Sequence, residues 1–438
     1  MHDLERSRRA VSRLDRRCCC GDGDAGAGVS VAASALLYRV AAQFANPQIG
    51  RIGVAVSGGS DSTALLHLLA EAGLQLAVVT VDHNLRTEAA SEARAVAAIC
   101  DGIGVPHDIL VWQHGEVTGN LMDQARRARY RLIGDWAQRR GIRHVVLGHT
   151  ADDQAETLLM GLARAAGIDG LCGMRPVWQS HGISWSRPLL QERRESLRDY
   201  LRERRIGWVD DPTNDNSDFT RIKARQAVQA LAGLGVTVDG LATVAGNLSA
   251  ARAALDAQLM QIAAQIVQTA AGSLTMDRTA LLAHPGEVQR RLLVAALRWV
   301  SNAEYAPRAD AVARLIDKVR TGGDATLSGC SIRAGGPVLR ILREAKAVAQ
   351  TVCATDQLWD GRWAMPGPAQ PGQVIRALGV EGLRHCKNWR DTGLSRDVLL
   401  TSPAIWQGDA LISAPIAGLA QGWSAHIDAG FADFLLSH

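Results

Sequence analysis

The chain has 438 residues, 47% of them hydrophobic and 21% charged, with a formal net charge of +4. That length suffices for two or three globular domains, and no apolar run approaches the roughly 18 residues of a membrane span. The small net charge excludes a polybasic protein, and because only four of the 48 basic residues are lysines (Lys223, Lys318, Lys346 and Lys387), the positive charge is carried by arginine.

Residues 1–28 mix arginines with Asp3, Glu5 and Asp15 and have no apolar core for a signal peptide, so a disordered tail is expected there. Cys18-Cys19-Cys20 lacks metal-ligand spacing. Cys100, Cys172, Cys330, Cys353 and Cys386 stand singly with no C-x-x-C, which points to a reducing, cytoplasmic setting. The first strand is expected over 51–56, short and apolar like a buried parallel strand. It runs into Ser57-Gly58-Gly59-Ser60-Asp61-Ser62, and residues 63–69 follow with helical spacing. A glycine-rich turn between strand and helix presents unpaired backbone N–H groups at a positive dipole end, which suits a polyanion. Hydroxyls of Ser57, Ser60 and Ser62 add donors. Asp61 is an acid at an anion site, which makes sense if Mg²⁺ bridges it to phosphate. A Walker A loop would need Gly-Lys-Ser/Thr, and the first lysine is Lys223.

A second strand is expected over 75–81, followed by Asp82-His83-Asn84-Leu85-Arg86, and a helix over 88–103. A strand over 107–112, a helix over 121–140, a strand over 143–148 and a helix over 152–163 come next. Alternation of this kind predicts a parallel sheet with helices on both faces and ligands beyond the carboxyl ends of its strands. The glycine turn, Asp82-His83 and His149 all fall at such ends. In the 121–140 helix the arginines at 126, 127, 129 and 131 point to more than one side, some toward a phosphoanion and others toward an RNA backbone. In Gly148-His149-Thr150-Ala151-Asp152-Asp153-Gln154-Ala155-Glu156-Thr157, Asp153 and Glu156 share a helix face. Such carboxylates can cap the helix, coordinate Mg²⁺ or take a proton from an attacking amine. His149 is either a phosphate donor or a satisfied core histidine. A charged helix over 197–205 and a polar run over 210–216 close the first domain, and Arg221, Lys223 and Arg225 form a further basic set, candidates for RNA contact. From 226 to about 300 the pattern is helical, 305–345 is mixed, and prolines and glycines at 366–372 suggest short strands and turns to the C-terminus.

These residues match a family in order and spacing: VAVSGGSDSTALLHLL, VDHNLR, ARRARYRLI, GHTADDQAETLLM, GIDGLCGM, RPLL and WVDDPTNDN, over about 50–225. The chain resembles the bacterial tRNA(Ile)-lysidine synthetases of the PP-loop ATP pyrophosphatase superfamily. The resemblance implies an α/β fold, with a Rossmann-like parallel sheet as catalytic domain over 29–225. A mainly helical tRNA-binding domain over 226–345 and a small mixed C-terminal one over 346–438 would follow. It implies ATP and Mg²⁺ as cofactors, and tRNA(Ile) with a CAU anticodon and free L-lysine as partners, in the cytoplasm, with no membrane and with a homodimer left open. By the same resemblance Ser57 to Ser62 hold the ATP phosphates and Asp61 serves the metal. Arg129 and His149 lie near the phosphates, and Asp153 and Glu156 serve metal or lysine activation. Thr150, Gly161, Ala165-Ala166 and Ile222 depart from the family's common residues. A PP-loop tRNA thiolase is the alternative, although such enzymes need paired cysteines.

Overall fold

The computed structural model describes residues 30–46, 49–85, 89–114, 121–180, 182–209 and 220–437. The expected tail at 1–28, Arg86 and the polar run over 210–216 lie outside the described residues. The chain divides into two compact units, Met1–Arg252 and Ala253–His438.

The first unit is built on a six-stranded sheet in the order β3-β2-β1-β4-β6-β5. Its strands are β1 (Ile52–Ala55), β2 (Leu76–Asp82), β3 (His107–Val111), β4 (His144–Leu147), β5 (Val177–Ser180) and β6 (Ile183–Ser186). β1 is buried along its whole length and pairs in parallel with β2 on one side and β4 on the other. Buried Ile52, Val54, Leu65, Leu68, Val78 and Leu197 form one core, and Val79, Ile133, Trp136, Val145 and Trp185 another. The chain order reverses between β1 and β4, so the sheet opens a crevice there, beyond the strand ends. Helices carry the site around this crevice: α1 (Val31–Ala42), α2 (Ser60–Glu71), α3 (Ala89–Gly102), α4 (Leu121–Arg139), α5 (Ala151–Ala163), α6 (Ile168–Leu171), α7 (Arg194–Glu203) and α8 (Thr220–Leu231).

The expected parallel sheet is present, with β3, β2, β1, β4 and β6 all paired in parallel, and β5 adds an antiparallel hairpin with β6 at its edge. Two expectations are corrected. α7 begins at Arg194, three residues before the helix expected at 197. The helical stretch expected up to about 300 is broken by a hairpin of Val267–Ala270 and Ser273–Asp277. Ala271 and Gly272 both have positive φ (46° and 72°), the backbone that a two-residue turn needs to match strand twist. An alanine-rich background hides that turn from a reading of periodicity.

In the second unit this hairpin belongs to a five-stranded antiparallel sheet completed by Val338–Arg343, Cys330–Arg333 and Ala325–Leu327. Leu292, Leu293, Leu297, Leu315 and Val319 from helices Gly286–Ser301 and Ala309–Thr321 join Leu274, Met276, Ile332 and Ile341 in its core. A four-stranded sheet follows, made of Val352–Ala354, Gln373–Ala377, Pro403–Gln407 and Ala410–Ser413. Among the described residues no single helix is long and apolar enough to cross a membrane.

Candidate active site

A cavity of about 700 Å³ opens at the crevice, lined by Ser57, Gly59, Ser60, Asp61, Ser62, His83, Arg129, His149, Asp153, Arg194, Arg198 and Arg225 among others. Its floor is the turn from β1 into α2. Gly58 has φ +91°, which a side chain would strain, and Gly59 caps α2 without any side-chain hydrogen bond to the helix. The first N–H groups of α2 thus have no side-chain acceptor from their cap residue, an arrangement suited to anions. Ser62 has another job. Its buried hydroxyl donates to the Gly59 carbonyl (3.1 Å) and accepts from the Ser57 N–H (3.1 Å), so it closes the turn. The Ser60 hydroxyl donates to Asp61 Oδ1 (3.1 Å), whereas Ser57 is exposed.

The second wall is the turn from β4 into α5. Gly148 lies against the first wall: a Cβ there would stand 2.9 Å from the backbone N and Cα of Ser62. Backbone cannot give way as a side-chain tip can. Gly148→Ala is thus expected to push the two turns apart and lower kcat/KM by roughly a hundredfold. If the cavity carries out the ATP chemistry that the resemblance implies, ATP–pyrophosphate exchange is the assay, and an unchanged rate would refute the close approach.

Beyond it, Thr150 caps α5 and Asp153 completes a capping box: Asp153 Oδ2 accepts from the Thr150 N–H (2.8 Å) and hydroxyl (3.0 Å). Asp152 does not enter the cavity chemistry; it accepts the Arg194 N–H (2.8 Å) and so ties α5 to α7. Helix capping therefore accounts for Asp152 and for one oxygen of Asp153, and Oδ1 of Asp153 remains for the cavity.

One side chain gathers what is left. The Arg194 guanidinium donates to Asp61 Oδ2 (2.9 Å), Asp153 Oδ1 (3.0 Å) and Glu156 Oε1 (3.4 Å). Burial alone would lower its pKa, but Asp153 and Asp61 outweigh it and hold the guanidinium well above its ordinary value. The two aspartates respond differently. Burial raises Asp61, and Arg194 does not fully offset it; Asp153 lies beside it and adds repulsion. Asp153 is also raised by burial, but Arg194 and the Thr150 N–H win and lower it. Glu156, 1% exposed, takes a second cation, Arg225 (3.0 Å), on the same Oε1. Its Oε2 is buried with no hydrogen-bond partner among the described residues.

Of the expected arginines, Arg129 lines the cavity with no carboxylate paired to it among the described residues. Arg126 lies over the Tyr130 ring at 5.3 Å and Arg127 pairs with Asp123, so the run does point to several sides. Arg221 and Lys223 are exposed on α8, and Arg225 turns inward to Glu156. His149 lines the cavity, and burial lowers its pKa strongly. Arg194 escaped the sequence reading. The helix was expected from 197, so nothing in the local spacing marked Arg194 as the residue that opens α7.

Residues 33–231 match the family model described as a PP-loop domain. A tRNA(Ile)-lysidine synthase from Ruegeria pomeroyi is 44% identical, covering 94% of this chain and 100% of that protein. One from Brucella anthropi is 34% identical over 84% of this chain and 86% of its own length. Among solved structures, a U34-tRNA thiolase from Methanococcus maripaludis is similar at 14% identity and a TM-score of 0.43, covering 49% of this chain and 76% of that one. At these identities over most of both chains, the chain belongs to the tRNA(Ile)-lysidine synthase family.

Proposed function

We propose that the cavity binds ATP and that the chain joins free L-lysine to the wobble cytidine of a tRNA(Ile) with a CAU anticodon. In the first step the C2 carbonyl oxygen of the cytidine attacks the α-phosphorus and pyrophosphate leaves. In the second the lysine side-chain amine attacks C2, and AMP departs with the former carbonyl oxygen, giving lysidine. The observation that carries this reading is one cavity holding both an uncapped helix N-terminus and the Asp61–Asp153–Arg194 cluster.

The N–H groups opening α2, with Arg129 and His149, face the polyphosphate and stabilise charge that develops on it. Asp153 receives the amine: it lines the cavity, and its carboxylate can take the proton released on attack. Glu156 is not among the residues that line the cavity and acts through Arg194 and Arg225, which do line it and share its Oε1. Mg²⁺ fits this donor set: Asp61 is a hard oxygen ligand at a phosphate cradle. No group of three His, Cys, Asp or Glu side chains among the described residues forms an all-protein cage, and Mg²⁺ commonly uses one or two carboxylates plus phosphate oxygens. When bound, the ion neutralises charge on the polyphosphate.

We further propose that 226–345 and 346–438 act as tRNA-binding regions, with Arg221 and Lys223 contributing at the edge of the first unit. Arginine–phosphate pairing of this kind makes tRNA affinity fall steeply as salt rises. A filter-binding titration in which affinity ignores salt would sink that part. The function itself is tested by mass spectrometry of the wobble nucleoside after incubating protein, ATP, L-lysine and transcript tRNA. Formation of lysidine only when all four are present is expected; an unmodified cytidine overturns the reading.

A further inference from the structure

His149 has two ring nitrogens, and the structure commits one of them. Arg187 Nε donates to His149 Nδ1 at 3.2 Å. A guanidinium has only donors and keeps its proton, so the Nδ1 it meets must be a bare lone pair. Arg187 is itself held on every side. Its Nη1 donates to the Arg175 carbonyl (2.6 Å) and its Nη2 to the Tyr130 hydroxyl (3.2 Å). The guanidinium lies 4.0 Å from the Trp178 ring centroid, and Trp178 stacks on Trp185 (5.8 Å, 14°). The side chain is 6% exposed. Its seat is thus the β5–β6 hairpin, the Arg175 carbonyl just before it, and Tyr130 of α4. His149 lines the cavity with Nδ1 already spent, so whatever it offers a ligand it offers through Nε2.

We propose that Arg187 is a positioning residue that fixes His149 as a neutral imidazole with its proton on Nε2, making it a hydrogen-bond donor to the bound nucleotide and excluding it as a base. The donor role rests on the ATP reading of this cavity; the tautomer does not. An imidazolium at His149 would set an N–H against the Arg187 N–H at 3.2 Å and bring two cations together, so the arrangement resists protonation as well as the other tautomer. Burial acts in the same direction, as do Arg129 and Arg221, and together they outweigh Asp153, which favours the charged ring. The proton that leaves the amine therefore goes to a carboxylate, and His149 polarises phosphate without exchanging protons with it.

The test is nitrogen NMR on protein labelled in its histidines, with the His149 signals assigned by their loss in H149Q. The expected result is the Nε2–H pattern held from pH 6 to pH 8 and an Nε2 signal that shifts on adding ATP. A Nδ1–H pattern, or an imidazolium within that range, overturns the assignment. Calorimetry on the same sample separates the two readings. Heat of ATP binding with an unmoved Nε2 signal overturns the donor role, whereas no heat at all overturns the ATP reading and leaves the tautomer to be decided by the pattern alone. Activity gives an independent arm, because the glutamine amide nitrogen mimics Nε2 and the asparagine one mimics Nδ1. H149Q is expected to lose less than about tenfold in kcat and H149N roughly a hundredfold or more; the reverse order overturns the proposal. R187K, which keeps a donor and the stem, should retain the Nε2–H pattern, and R187M, which keeps the stem but has no donor, should lose it with a fall in kcat. An R187M protein with an unchanged pattern and kcat would remove Arg187 from the account.

Discussion

Arg194→Ala is expected to destabilise the first unit by roughly 3–5 kcal/mol and to abolish turnover, because it strips the shared cation from three buried carboxylates. Asp61, Asp153 and Glu156 all accept from this guanidinium, and their side chains are 16%, 10% and 2% exposed. Glu156 is sealed from water, and among the described residues Arg225 pairs with Glu156 and not with the two aspartates. Urea denaturation measures the stability loss, and ATP–pyrophosphate exchange the activity. Arg194→Lys should recover part of the stability but not the activity, since an ammonium cannot present three donors in a plane to three separate acids. A variant in which alanine leaves both quantities within experimental error would show that the cluster is a surface ornament, despite its burial.

The second large effect is expected at Asp61. Asp61→Asn keeps the shape and removes the charge, and ATP–pyrophosphate exchange in the presence of cognate tRNA should fall by roughly 10²- to 10³-fold. The tRNA affinity should stay within about twofold, because the residue lies in the cavity and not on an exposed surface. Two losses compound here: the carboxylate that would meet the metal, and the anion that fixes Arg194 Nε at 2.9 Å. Comparing Asp61→Asn, Arg194→Lys and the double variant separates them. Additive losses would mean two independent roles, and a double variant no worse than either single one would mean a single coupled unit.

The site was legible where its chemistry is local. Strand, glycine turn and helix are contiguous in the chain, so Ser57 to Ser62 could be placed beyond the end of β1 from apolar spacing alone. The same holds for His149, Asp153 and Glu156 beyond β4, where helix periodicity puts the two acids on one face. The capping box of Thr150 and Asp153 is likewise a short-range matter. Contacts across the sheet were not legible. Arg194 stands 133 residues from Asp61 and 41 from Asp153, and no periodicity links them. Ser62 read as a phosphate donor because a hydroxyl in such a turn usually can be one; its inward bond to Gly59 depends on the folded turn. Arg225 read as part of a basic set, and only the packing of α8 beside α5 turns it onto Glu156.

What the sequence by itself determined is the order of elements from β1 to α5, the glycine turn between β1 and α2 and the set of acids, because these follow from backbone propensity and from spacing within a few residues. What only the tertiary structure decided is which charges share a counter-ion and which nitrogen of His149 is engaged. Those depend on the strand order that sets β4 beside β1 and on an antiparallel hairpin at the sheet edge that seats Arg187. Coulombic and hydrogen-bond partners are chosen by distances in space over a few ångströms, and a linear chain specifies such distances only after its sheet has formed.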